Sequence, residues 1–459
     1  MRDTLLRESR LKIVFQQPAN MDQSQRAQLS YCGFGSNILP PEKHMAIALN
    51  AAGGLALFLF AMSMMTDGLK VFGGQGLKVL LRDWTSSALR GAFSGALVTA
   101  IVQSSSAVTV ATIGFVNAGV LSLRQALGVI FGANVGTTMT GWLVSFVGFG
   151  FKIEAFALPI LAIGVALRLL TLRKRIRGLG DALIGFGLFF LGLAILKDAF
   201  SGVATAFGTA SFSNVEGLTG LFIFVGVGFV ATVLTQSSSA AMAIILTAAS
   251  ESVIGVNLAA AAVIGANVGT TSTAIFATIG ATPNAKRVAA GHLFFNIITG
   301  LIALAMLPAV LAGIALFTKW TGISDQPAPL LALFHTVFNL LGVALLLPFA
   351  GRLAKRLERL FRTEEDDLSR PRFLDKTVLA APSLAISAMR NELDRIMDLV
   401  NRLALAAIRE TDAGRGRSKR RAEAVFALVE AVVEFATSLR MEGLSHADSE
   451  DLPRVLRIG

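Results

Sequence analysis

The sequence predicts an all-α, polytopic membrane protein: two repeats containing re-entrant or broken helices, followed by a small cytoplasmic helical tail. Three observations predict it. The first is composition: of 459 residues, 54% are hydrophobic and 15% charged, with a mean hydropathy of +0.65, well outside the usual range of soluble domains. The second is a series of charge-free runs. No Asp, Glu, Lys or Arg occurs in 91–123, 217–250, 252–285, 288–318 or 326–351, and each run exceeds the ~20 apolar residues that cross a bilayer as a helix. The third is a duplication. Gln103-Ser104-Ser105-Ser106-Ala107 returns as Gln236-Ser237-Ser238-Ser239-Ala240, an offset of 236 − 103 = 133 residues. Gly132-Ala133-Asn134-Val135-Gly136-Thr137-Thr138 returns as Gly265-Ala266-Asn267-Val268-Gly269-Thr270-Thr271 on the same offset. Gly95 and Gly228, Thr99 and Thr232, and Thr140 and Thr273 follow it too. Polar phrases kept in register inside apolar sequence mark a repeat-built membrane carrier.

Taken in order, residues 1–44 are polar and irregular, lack the apolar core of a signal peptide, and carry no function here. Ala46 to Met65 is the first span. A Gly-rich, half-polar stretch leads to Leu89–Val102, which is apolar, and Ala107–Leu121 is apolar again after the first triplet. That unit is too long for one span and too polar at its middle for unbroken helix, so two half-length helices meet at the triplet, as a re-entrant hairpin or a broken span. Gln125 to Gly150 is expected to repeat the pattern, interrupted at Gly132–Thr138. Glu154 to Leu172 is another span, closed by Arg173-Lys174-Arg175-Ile176-Arg177.

The second half opens with a Gly-rich span from Asp181 to Leu196. Leu221–Ala249 carries the second triplet and Val253–Gly280 the second Gly-Ala-Asn phrase. Two further spans are expected over Val288–Phe317 and Leu330–Phe349. These limits divide the chain into an extension (1–44), a first transmembrane repeat (45–177), a second (178–351) and a helical region (352–459). In the last, Leu374–Ile408 has apolar residues at helical spacing and Ala422–Leu439 forms a second helix across the turn Thr411–Arg417.

The net charge of +11 raises nucleic acid as a partner. The basic residues instead sit largely in short clusters beside spans, including 173–177 and 352–362, as topology signals do. They place the 173–177 loop and everything after Arg352 in the cytoplasm, in a multi-pass protein of the cell membrane with no nucleic-acid partner. A single Cys32 excludes a disulfide framework within the chain.

Chemistry is concentrated in the doubled phrases. Irregular backbone at membrane depth is tolerated only where it is buried in protein or lines a watered cavity. Serine hydroxyls donate or accept, and a glutamine amide does both. A triplet just ahead of Ala107 or Ala240 sits at a helix N-terminus, where free N–H groups and the dipole favour an anion. Two such ends could converge on one tetrahedral oxyanion. No Arg or Lys lies near either triplet, so a bound anion lacks a fixed counter-charge, and burying it alone would be prohibitive. Cations bound beside it remove the problem and couple the two fluxes. Asn134, Thr137, Thr138, Asn267, Thr270 and Thr271 offer neutral oxygen ligands of the kind hard cations such as sodium take. Small residues can instead serve close helix packing; that is the better reading of Gly95 and Gly228, whereas packing alone does not call for Gln and Asn at matching places.

His292 with Asn296, and His335 with Asn339, share helix faces. They suit inter-helix hydrogen bonding within the scaffold, with a proton relay or a metal as the sharper alternative. Glu154, Asp181, Lys197 and Asp198 lie near span ends and reach the interface. No Gly-x-Ser-x-Gly elbow occurs, so a serine hydrolase is not supported and no enzyme activity is expected.

The doubled Gln-Ser-Ser-Ser with its two Gly-Ala-Asn-Val-Gly-Thr-Thr phrases resembles the type II sodium/phosphate cotransporter family, and in particular its bacterial members with a PhoU-like tail. The likeness covers about residues 45–350 and extends over 371–440, where Pro371-Arg372-Phe373-Leu374-Asp375 and Ala381-Pro382-Ser383 look like the entry to that tail. It implies inverted repeats whose core binds phosphate through Gln103, Ser104, Ser105, Ser106, Gln236, Ser237, Ser238 and Ser239, with sodium as co-substrate and no resident cofactor. It also implies a bacterial inner membrane and a cytoplasmic regulatory partner at the tail. Animal relatives commonly follow the triplet with Thr or Val; Ala107 and Ala240 stand there in this chain. Sodium-coupled phosphate transport by alternating access is the first functional expectation. A carrier for another oxyanion such as sulfate, and a membrane-anchored phosphate sensor signalling through the tail, are the alternatives.

Overall fold

A computed structural model describes residues 41–148, 154–207, 217–279, 281–322, 326–360, 371–409 and 415–439. Residues 1–40 and most of the turn 411–417 lie outside them. The described chain is helical throughout, without a strand, and seven of its helices are long and apolar enough to cross a membrane. It is a polytopic all-α membrane protein, as the charge-free runs require.

The helices follow the 133-residue offset. In the first half, α1 is Pro41–Asp83, α2 Ala88–Val102, α3 Ser105–Asn117, α4 Leu123–Gly148 and α5 Glu154–Leu170. In the second, α6 is Lys174–Phe207, α7 Gly217–Thr235, α8 Ser238–Ser250, α9 Val256–Gly269, α10 Thr271–Phe276 and α11 Pro283–Ala305. Shifting α1 by 133 starts it at α6's own Lys174, and shifting α3 gives 238–250, the limits of α8. α12 (Leu307–Thr321), α13 (Pro327–Leu346) and α14 (Ala350–Arg359) follow. In the tail, α15 is Pro382–Arg409 and α16 Arg415–Thr437.

Packing keeps the same symmetry. α1 lies along its counterpart α6, α2 packs on α4, and α7 packs on α9. α4 is the hub, touching α3, α8, α11, α13 and α14 as well. Glycines set the two closest approaches. A Cβ on Gly132 would lie 1.8 Å from the Ala92 carbonyl oxygen, and one on Gly265 would lie 1.9 Å from that of Val225. Gly95 and Gly228 face the backbones of Val129 and Ala262 in the same seams, so both serve packing.

Four expected elements differ. Residues 174–177, expected in a loop, form the first turn of α6. The span over 288–317 divides at Met306 into α11 and α12, because Pro308 suits the first turn of a new helix but not the interior of an old one. α4 runs unbroken through Gly132–Thr138, where an interruption was expected. Its glycines meet α2, and Thr137 and Thr138 donate to the carbonyls of Ala133 and Val135 at 2.9 and 2.8 Å, inside the helix. In the tail, Lys376–Ala380 is a short 3-10 turn and the long helix starts later, at Pro382.

The tail docks on both halves, past the end of α3 and at the start of α11. Asn391 donates to the Ala118 carbonyl at 2.7 Å, just past α3. Fully buried Glu392 accepts from the amides of Arg372 and Phe373 at 2.6 and 2.7 Å and from Arg395 at 2.6 Å. Asp375 reaches the Thr282 amide at the start of α11 at 3.4 Å, and the Thr282 hydroxyl donates to Asn117 at 2.7 Å.

Candidate functional site

α2 has 15 residues and α3 has 13, about 22 and 20 Å at 1.5 Å per residue, each short of a ~30 Å hydrocarbon core. They meet at the first triplet, and α7 meets α8 at the second. The junction is built alike in both halves. Gln103 and Gln236 adopt left-handed backbone (φ 57° and 49°), which costs a non-glycine residue roughly 1–3 kcal/mol and points to a site that needs the side chain. Ser104 and Ser237 cap the next helix, each oxygen accepting from the amide three residues on (Ala107, Ala240) at 3.2 Å. The helix therefore begins inside the triplet, one residue earlier than a start just ahead of Ala107. The amides of Ser105, Ser106, Ser238 and Ser239 fall in the first turn, where no intrahelical acceptor exists.

The third serine of each triplet reaches across to the other half. Ser106 Oγ lies 3.3 Å from Thr273 Oγ1 on α10, and Ser239 Oγ lies 3.1 Å from Thr140 Oγ1 on α4. Both pairs are related by the offset: 239 − 106 = 133 and 273 − 140 = 133. Thr140 donates to Gln103 Oε1 at 2.9 Å and Thr273 donates to the Thr270 carbonyl at 2.6 Å. With each threonine hydrogen so placed, the serines are the donors in the cross-repeat pairs, and their lone pairs stay available. Ser105 and Ser238, between cap and cross-repeat contact, have no hydroxyl partner in the described protein and are half-buried. The junctions thus present free hydroxyl and amide donors beside unengaged oxygen lone pairs, with no charged side chain on α3 or α8.

The Gly-Ala-Asn phrases flank this junction, and every threonine hydroxyl in them donates to a backbone carbonyl three or four residues back. Their oxygens can accept or ligate but have no hydrogen to give an anion. The two asparagines diverge. Asn134 turns back to the Ile130 carbonyl at 2.9 Å. Asn267 donates to Asn296 Oδ1 at 2.7 Å and Asn339 Oδ1 at 3.5 Å, with His335 Nε2 3.4 Å from its own oxygen. These side chains, all nearly fully buried, tie α9 to α11 and α13, the inter-helix bonding expected of Asn296, His335 and Asn339. His292 bonds only through its backbone carbonyl, to Asn296 in its own helix, and its Nδ1 has no partner among the described residues. Asp181 pairs with Arg168 at 2.9 Å, and Lys197 and Asp198 are exposed; the Glu154 side chain lies outside the described residues.

Thr140 and Thr273 stood in the sequence only as offset mates, yet they carry the cross-repeat contacts. The Asn117–Thr282–Asp375 junction left no signal, because its members share neither spacing nor repeat. A surface groove of about 720 Å³, bordered by Leu89, Phe93, Leu340 and Val343, contains no triplet residue.

A duplicated, broken-helix core capped by paired serines, inside a bundle of apolar helices, defines a repeat-built polytopic membrane protein. Residues 57–198 and 202–342 match the sequence profile described as Na+/Pi-cotransporter, and the chain belongs to that family. It is 30% identical over 365 residues to "Putative inorganic phosphate export protein YjbB" of Escherichia coli K12, covering 78% of this chain and 64% of that protein. It is 30% identical over 310 residues to "Uncharacterized protein YqeW" of Bacillus subtilis, covering 67% of this chain and 96% of that one. A 104-residue stretch is 31% identical to human "Sodium-dependent phosphate transport protein 2B", 22% of this chain and 15% of that one. The chain thus spans about 64% of the length of the export proteins it matches. No solved structure matches it.

Proposed function

We propose that the chain carries inorganic phosphate across the membrane together with sodium, by alternating access. The observation that carries this reading is the pair of serine-capped helix starts, joined across the repeats by Ser106–Thr273 and Ser239–Thr140. Phosphate at these starts would take hydrogen bonds from the hydroxyls of Ser105 and Ser238, from those of Ser104 and Ser237, and from the first-turn amides. Gln103 and Gln236 add amide donors at the rim. The charge-free walls require cations with it. The lone pairs of Ser106 and Ser239, with the oxygens of Asn134, Thr137, Thr138, Thr270 and Thr271, are the ligands for sodium; Asn267 contributes only where it lets go of Asn296. The names of the matched relatives, which speak of phosphate export and sodium-dependent phosphate transport, favour this substrate over sulfate. Direction follows the combined gradients. The tail faces the cytoplasm on the charge rule and is where a regulatory partner would act.

The test is uptake of radiolabelled phosphate into proteoliposomes with and without an inward sodium gradient, with sulfate as competitor. Sodium-dependent uptake untouched by sulfate is expected. No uptake from protein that still binds phosphate would overturn transport and leave the sensor reading.

A further inference from the structure

One heptapeptide, Gly-Ala-Asn-Val-Gly-Thr-Thr, occurs here with two hydrogen-bonding patterns. At 132–138 it lies within an unbroken α4, which continues past Thr140. At 265–271 α9 ends at Gly269 and α10 starts at Thr271; Thr270 between them keeps helical angles (φ −59°, ψ −24°), but its amide bonds back three residues to Asn267 at 3.3 Å. Identical local sequence with two bonding patterns means that local propensity does not choose between them; tertiary partners do.

The partners differ in several respects. Asn267 is tied to other helices where Asn134 is not. Thr232 donates to the Ala266 carbonyl at 3.2 Å, the acceptor the Thr270 amide would otherwise take, while its offset mate Thr99 has no side-chain partner among the described residues. The two glutamines are also placed differently. On the unbroken side, Thr140 donates to Gln103, and Gln103 is buried at 8% exposure. On the other side, Thr273 donates to the carbonyl of Thr270, just ahead of α10, and Gln236 is exposed; its amide lies on the Val233 carbonyl at 2.6 Å, the same contact that Gln103 makes with Ala100. An exposed glutamine amide would be costly in hydrocarbon, which favours water over lipid at this junction. The serine contacts, in contrast, are present on both sides. The structure is thus closed at one junction and open at the other.

We propose that Gln103–Thr140 and Gln236–Thr273 are alternating latches. In the state shown, the first is closed over an unbroken α4 and the second is open over the one-residue turn between α9 and α10. In the opposite state, Thr273 donates to Gln236, Gln103 swings out, and the one-residue turn passes from Thr270 to its offset mate Thr137. Thr140 and Thr273 are positioning residues: each holds a glutamine and a helix segment in one state only. This deepens the alternating-access reading and rests on it for the meaning of the two states.

The experiment uses the full chain in a Cys32→Ser background, carrying Ser105→Cys or Ser238→Cys. It is labelled with a membrane-impermeant maleimide on right-side-out and inside-out vesicles, with phosphate flux of the Cys32→Ser chain measured in parallel. Thr140→Val removes the closed latch of the present state. It is expected to raise Ser105→Cys labelling and lower Ser238→Cys labelling by about fivefold, the effect of one net hydrogen bond. Thr273→Val removes the latch of the opposite state and is expected to shift both the other way. Each valine also loses one serine contact, which exists in both states and cancels, and, in the unlatched state, the bond to the carbonyl three residues back. That carbonyl loses only an extra donor, a smaller loss than leaving a buried glutamine oxygen without its partner. Thr140→Ser and Thr273→Ser keep the hydroxyl and restore the wild-type pattern, which a purely packing role would not. Two valine variants that shift labelling in the same direction, or not at all, would overturn the latch. Opposed shifts in a protein that moves no phosphate would uphold the latch and remove the transport reading instead.

Discussion

Gly132→Ala is the sharpest test of the packing on which the site depends. The added Cβ would sit 1.8 Å from the Ala92 carbonyl oxygen. Since real Cβ contacts essentially never fall below 3.0 Å, α2 and α4 must part by at least 3.0 − 1.8 = 1.2 Å at that point. Neither neighbour can yield locally, because the atom met is backbone of a packed helix. Gaps of 0.5–1 Å already forfeit a quarter to a half of a dispersion contact, and overpacking of this kind typically costs 1–3 kcal/mol. With two helices levered apart, the upper end applies, about 3 kcal/mol. The displacement also carries Gln103, at the end of α2, away from Thr140, where the hydrogen bond is 2.9 Å and fails once stretched by an ångström. Thermal unfolding in detergent and phosphate uptake in proteoliposomes measure the two consequences. The control is Gly226→Ala on exposed α7, which meets nothing within 4 Å and should gain about 0.5–1 kcal/mol from helix propensity. The reasoning is refuted if Gly132→Ala is as stable as Gly226→Ala, or if it unfolds early yet transports at the wild-type rate.

Other outcomes follow from the same geometry. Ser105→Ala and Ser238→Ala each remove a free hydroxyl but no packing, so phosphate affinity should fall by about tenfold or more, as for one charge-assisted hydrogen bond, while membrane insertion is unchanged; wild-type uptake in both would remove the triplets from the site. Asn267→Leu strands Asn296 and His335 in the interior and should cost about 1–3 kcal/mol per unmet group, read as earlier unfolding in detergent. Asn134→Leu, which leaves only a helix carbonyl without its side-chain donor, should cost clearly less, and equal costs would contradict the asymmetry between the repeats. Asp375→Ala takes away the acceptor shared by the Thr282 and Thr377 amides, so limited proteolysis should release the tail faster; an unchanged cutting rate would show that the tail is held elsewhere.

Much of this architecture was legible because membrane burial and duplication both leave strong linear signals. Charge-free runs located the spans, and the 133-residue offset ties Ser106 to Ser239 and Thr140 to Thr273 without reference to any contact. The break at each Gln-Ser-Ser-Ser was legible as well, since a polar phrase amid apolar residues, with serine at the cap position, calls for a new helix start. The scaffold break at Met306 was not, because Pro308 alone does not decide between a kink and a new helix when both flanks are apolar.

The Gly-Ala-Asn phrases show where reading a sequence locally must fail. An interruption was expected at 132–138, where the helix runs on; in the second phrase a one-residue turn at Thr270, itself with helical angles, separates α9 from α10, although the seven residues are the same. No local rule could have separated them. What separates them lies far off in the chain: Gln103, which holds Thr140 over a straight helix, and Asn296, Asn339 and His335, which hold Asn267 where Asn134 has only Ile130. A sequence that bonds two ways under two sets of distant partners has a small intrinsic gap between those patterns. A gap of that size is what a carrier needs, because a few changed hydrogen bonds, or a bound ion and anion, are then enough to move the helix from one form to the other.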